Sequence, residues 1–184
     1  MLVLVFLSCQ TKPRGLPEGA VEAFKEIHSK VYDVYGLSGK DDIHSHLSEI
    51  YSGEALTEAY VLHFQTLSRM TEEETEIEVK NVDYSDVSFV EHLWEGIRLD
   101  VDWSVGGIVT HQKHKHTRVN RYQAMYTLSE TDGEWRILHT RVRNAERVQR
   151  AFLSDESFFN GEDAGGGYLD PMDLIDGGLL EVSP

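Results

Sequence analysis

Val21, Phe24, His28, Val31 and Tyr35 recur at three- and four-residue steps, widened into a stripe by Ile27 and Val34. That period predicts an amphipathic helix, opened near Pro17 and closed by Gly36. A second, shorter helix follows, with Asp41 as its expected cap, Ile43, Leu47, Ile50 and Tyr51 at helical spacing and Gly53 as its end. In the third, Leu56, Tyr60, Phe64 and Leu67 form the expected buried face.

After the acidic run "TEEETE" the period changes to two. Ile77, Val79 and Asn81 alternate with charged neighbours, and Leu99, Val101, Trp103 and Val105 alternate in "GIRLDVDWSV". "VNRYQAMYTL" and "EWRILHTRV" continue as strand-type sequence. Asp132-Gly133 predicts a two-residue hairpin, because both central positions of that turn need positive φ.

Turn placement fixes which side chains share a face. With "HQKH" (111–114) as a connection, Thr110 pairs with Lys115, Val105 with Asn120, Trp103 with Tyr122, Val101 with Ala124 and Asp102 with Gln123. The Asp-Gly turn sets Leu128 against Ile137, Tyr126 against His139 and Ala124 against Arg141. One face then holds an aromatic and apolar centre, while Asp100, Asp102, Ser104, Arg121 and Gln123 look solvated; Met125, Leu138 and Val142 point to partial cover on that side. The predicted fold class is α+β: three N-terminal helices packed on a curved, cone-like antiparallel sheet.

This order of three helices and a long meander, from about Pro17 to Phe152, resembles the nuclear-transport-factor-2-like superfamily, whose cone is shared with ketosteroid isomerases. "WSVGGIVTHQKHKHTRVNRYQAMYTL…DGEWRI" is similar to a pattern in uncharacterised bacterial members: a Trp strand, a His-bearing turn, then Arg-x-Asn-x-Tyr. The resemblance implies a hollow under the sheet. It carries no shared catalytic motif, so function has to be argued from the site.

Charge is uneven along the 184 residues. Residues 153–184 hold eight acids and no base, so the rest carries 17 bases against 24 acids of a net −15. A nucleic-acid partner is disfavoured, since phosphate binding needs a clustered basic surface. The stretch "MLVLVFLSCQTKPRG" is an apolar run ending in the only cysteine, then a polar tether. It matches the end of a bacterial lipoprotein signal, with Cys9 as the lipidation site, and predicts an extracytoplasmic, membrane-anchored protein with residues 1–16 as leader and tether. It departs from that pattern in lacking a basic segment, in its short apolar run and in Phe6. Residues 17–152 are the expected domain and 153–184 an acidic, glycine-rich flexible tail.

Three kinds of chemistry are candidates. His111, His114 and His116 could share a metal ion, His114 and His116 being about 6.6 Å apart along a strand; Lys113 and Lys115 oppose this. His44 and His46 face different ways on a helix and are not added. The ligand-binding set is Trp103, His116, Arg118, Asn120, Tyr122, Tyr126, His139 and Arg141, sharing the face that a cone would enclose. An enclosed Arg141 needs an anion, either an internal carboxylate such as Glu95 or that of a ligand. The catalytic alternative is an isomerase, dehydratase or cyclase using His139 with Tyr122 or Tyr126. No G-x-S-x-G, phosphate-binding glycine loop or H-E-x-x-H occurs. The expected function is therefore a non-catalytic binding module of the cell envelope, needing no cofactor unless the histidines hold a metal. Its expected partners are a small-molecule or protein ligand, the membrane through the lipid anchor, and a second copy in a homodimer.

Overall fold

The computed structural model describes residues 15–111 and 114–153. Cys9, Gln112, Lys113 and the acidic tail lie outside the described residues. Helix α1 (Ala20–Lys30) runs into a 3₁₀ turn (Val31–Gly36), followed by α2 (Lys40–Ser48) and α3 (Gly53–Glu72). Strands β1 (Glu76–His92), β2 (Ile97–His111), β3 (His114–Thr131) and β4 (Glu134–Leu153) form one antiparallel sheet in the order β1-β2-β3-β4. The fold is α+β, with N-terminal helices packed on a curved, open sheet, as the periodicity predicts.

The helices differ from expectation in detail. Gly39, not Asp41, occupies the N-cap of α2. Gly53 starts α3 instead of ending α2, with φ of 62°. On α3 the most buried side chains are Ala55, Ala59, His63, Thr66 and Met70, while Leu56, Tyr60, Phe64 and Leu67 pack at the margin. The helix is rotated by about one residue, or roughly 100°, because small residues allow it to approach closely.

The β2–β3 pairing is as expected from Thr110–Lys115 to Val101–Ala124, and extends one pair further, to His111–His114. The paired strands therefore include His111 and His114, which the four-residue connection would have left out. At the other hairpin, Thr131 pairs with Glu134, and Asp132 and Gly133 have φ of 56° and 81°.

The outer ladders hold what simple alternation misses. Pairing skips Lys80, Ser85 and Val90 on β1, and Leu138, Arg143 and Val148 on β4. Each skipped residue is a bulge that reverses the phase of those after it. Asn81 is consequently exposed, and the inward row of β1 is Ile77, Val79, Val82, Tyr84, Val87 and Phe89. On β4, Tyr126 pairs with Thr140 and Ala124 with Val142, so Val142 belongs to the core and not to the outer face. Segment Ile50–Ser52 docks on the same strand: the Ile137 N–H donates to the Ile50 carbonyl at 2.8 Å, and the Ser52 N–H to the Ile137 carbonyl at 3.1 Å. Trp103, Tyr122, Phe24, Leu47, Ile50 and Leu99 are among the large, fully buried groups of the core between helices and sheet.

Candidate functional site

Strand β3 points His116, Arg118, Asn120, Tyr122 and Tyr126 inward, because successive inward residues on an unbulged strand lie two apart. Burying this much polarity requires partners. The Arg118 Nε–H donates to Asn120 Oδ1 at 2.8 Å, and the Asn120 amide donates to the Tyr122 hydroxyl at 2.6 Å. Trp103 packs on Tyr122 with ring centres 5.2 Å apart and donates its indole N–H to the Tyr32 hydroxyl at 2.8 Å. These bonds stitch the inner face into a continuous polar and aromatic row.

His28, projecting from α1, meets this row at Tyr126. Its Nε2 lies 2.9 Å from the Tyr126 hydroxyl and its Nδ1 2.8 Å from that of Tyr84. One consistent hydrogen assignment has Tyr126 donating to Nε2, Nδ1–H donating to Tyr84, and Tyr84 donating to the Lys25 carbonyl at 3.4 Å. Burial lowers the His28 pKa to about 3 and raises that of Tyr84. The imidazole is neutral at ordinary pH and works as a two-way connector.

A cleft opens beside it, between α1, α3 and the sheet, bounded by Tyr32, Tyr51, Ala55, Ala59, His63, Tyr126 and Thr140, with Glu58 also contributing. Burial, and secondarily the nearby His46, lowers the His63 pKa to about 4. His63 Nδ1 and Thr140 Oγ1 are buried with no protein hydrogen-bond partner among the described residues. Leaving such groups unsatisfied costs about 1–3 kcal/mol each. Both belong to residues lining the cleft, whose walls are otherwise mainly apolar and aromatic, and both atoms lie just beneath its surface.

Trp103, His116, Arg118, Asn120, Tyr122 and Tyr126 are inside, as the sequence indicates; of these, Tyr126 lines the cleft. His139 and Arg141 are not inside. The bulge at Leu138 turns both to the outer face, where His139 Nε2 lies 3.5 Å from Glu95 with its side chain 58% exposed. Arg141 is exposed, so neither a carboxylate clamp on it nor a catalytic pair of His139 with Tyr122 or Tyr126 is assembled. No local pattern marks Tyr84, His63 or Thr140, and the helical period marks His28 only as part of a stripe. The alternating two- and three-residue spacing of Ile77, Val79, Val82, Tyr84, Val87 and Phe89 is the signal that would have revealed the bulges and Tyr84.

His111, His114 and His116 do come together at the far end of the sheet. Their rings stand 5.1, 5.4 and 5.6 Å apart, and one nitrogen from each lies within 4.8 Å of the others. Imidazole nitrogens so placed could hold a metal ion.

Comparison with protein-family models gives no match, and neither does a search of curated proteins. Among solved structures, the chain is similar to the intermembrane space region of the chloroplast protein ARC6, with a TM-score of 0.43 and 17% identity over 71% of this chain and 98% of that one. No activity is carried over from it.

Proposed function

We propose that this domain is a non-catalytic binding module whose cleft takes a small, neutral, largely apolar molecule with one hydrogen-bonding group. The observation that carries the reading is the pair of unsatisfied polar atoms, His63 Nδ1 and Thr140 Oγ1, on residues lining one aromatic cleft. With a small shift of the side chains that cover these atoms, a bound alcohol, phenol or amide would supply what they lack, and the apolar walls would bury its remainder. A strongly anionic ligand is disfavoured, since burial keeps both nearby imidazoles uncharged and Glu58 adds negative charge. Catalysis by these histidines is disfavoured too: a general base works best with a pKa near the working pH, and theirs lie near 3 and 4.

An extracytoplasmic, lipid-anchored address belongs to the same proposal, supported by the apolar run that ends in Cys9. So does membership of the nuclear-transport-factor-2-like superfamily, supported by the helices followed by a curved antiparallel meander. The test of the cleft uses phenol, indole and benzamide as probes, followed by saturation-transfer NMR. At least one should bind the wild-type chain, and Ala59→Phe, which fills the cleft from α3, should abolish the signal while the fold remains intact. Equal signals from both proteins, or none from the wild type, would refute the cleft as a ligand site.

A further inference from the structure

We propose that His111, His114 and His116 form a binding site for one transition-metal ion of the Zn²⁺ class at the tip of the β2–β3 hairpin. His111 and His114 are the last directly opposed pair of the two strands, and His116 follows on the same face of β3. The strands thus deliver three imidazoles to one corner without any loop having to fold around an ion. Their ring centres form a nearly equilateral triangle with sides of 5.1, 5.4 and 5.6 Å.

That triangle can be compared with what an ion demands. With a Zn–N bond of about 2.1 Å, and the ring centre roughly 1.1 Å beyond the nitrogen, tetrahedral angles set imidazole centres about 5.2 Å apart. The rings are already at that spacing. The donor nitrogens lie within 4.8 Å of one another, against about 3.4 Å around a tetrahedral Zn²⁺, so the remaining adjustment is a rotation of the rings and not a movement of the strands.

The surroundings favour this use. His116 is 2% exposed and set by the strand. The buried Thr75 hydroxyl lies 3.1 Å from His111 Nδ1, the kind of outer partner that orients a ligating imidazole and leaves Nε2 for the metal. His114 is exposed, so an ion has a route in and a fourth coordination position can face water. Lys115 projects to the other face by strand alternation, while Arg118 continues the histidine row and opposes a cation. Ca²⁺ and Mg²⁺ are excluded because they need oxygen ligands; neutral nitrogen donors select Zn²⁺, Cu²⁺, Ni²⁺ or Co²⁺.

The experiment titrates Co²⁺ into chelator-stripped, untagged full-length protein and reads visible absorption, with Zn²⁺ calorimetry in parallel. The wild type should take up one equivalent with the intense bands of a four-coordinate site, and Zn²⁺ should raise its melting temperature. His114→Ala, a surface change that spares the fold, should weaken binding about 100-fold or more and remove the thermal shift. His44→Ala, on the exposed side of α2, should change neither. The proposal is overturned if the wild type shows no bands, or if His114→Ala binds as the wild type does, which would mark the ion as adventitious.

Discussion

His28 and His63 are neutral in the folded protein, with pKa values lowered by burial to about 3 and about 4. Once unfolded, each titrates near 6.5. Between those limits the unfolded chain binds protons that the folded one excludes, so their contribution to stability is complete above about pH 6.5 and lost as pH falls. Each imidazole costs up to ~1.4 kcal/mol per pH unit in that window. Urea unfolding followed from pH 7 to pH 4.5 should show this decline, and His63→Phe should reduce its slope by about one proton's worth; an unchanged slope would contradict the burial of that ring. The two displaced residues make the opposite case. His139→Ala and Arg141→Ala, both on the exposed face, should alter stability by no more than about 0.5 kcal/mol and leave probe binding in the cleft intact. A loss of several-fold in affinity would place them back at the site.

At the level of strands, close approach selects residue size. A Cβ on Gly96 would stand 1.8 Å from the Leu128 carbonyl oxygen, a backbone atom that cannot move without parting β2 from β3. One on Gly106 would meet Asn81 Oδ1 at 2.3 Å, but that side chain is exposed and can swing away. Gly96→Ala should therefore cost about 2 kcal/mol or more, and Gly106→Ala less than about 1 kcal/mol, since alanine also favours the strand backbone; denaturant midpoints of the two variants would separate them. The same scale explains what could be read in the chain. Three helices, two hairpins and the β2–β3 register follow from local period and turn chemistry, and with them the inward places of Trp103, Arg118, Asn120 and Tyr122. Bulges follow from how a sheet curves around its core, a tertiary demand, so alternation carried past Leu138 misplaced His139 and Arg141. The cleft depends on where α1 and α3 dock, which brings His28 to Tyr84 and Tyr126 across 56 and 98 residues of sequence; no local pattern encodes that meeting.

For the molecule as a whole, the two sheet margins are managed differently. β4 is partly covered by Ile50–Ser52, while β1 has β2 as its only strand neighbour among the described residues. Its bulges and exposed charges, among them Glu78, Lys80, Asp83 and Asp86, keep that free edge from pairing with other chains. Replacing Asp83 and Asp86 together by Val should shift sedimentation profiles toward larger species than the parent forms; identical profiles would mean that charge is not what guards the edge. Trp94, 95% exposed on the β1–β2 turn, is the largest exposed apolar group among the described residues.

The six skipped residues have a further implication for how this architecture tolerates change in length. They fall on the two outermost strands at five-residue intervals, while the inner pair runs from Ile97–Leu128 to His111–His114 without interruption. Gaining or losing an amino acid at Lys80, Ser85, Leu138 or Arg143 alters only a local kink. The same event within Val101–Val105 or Asn120–Ala124 would turn the indole and phenol layer out into water, so viable size variants should differ at the periphery and agree in the middle.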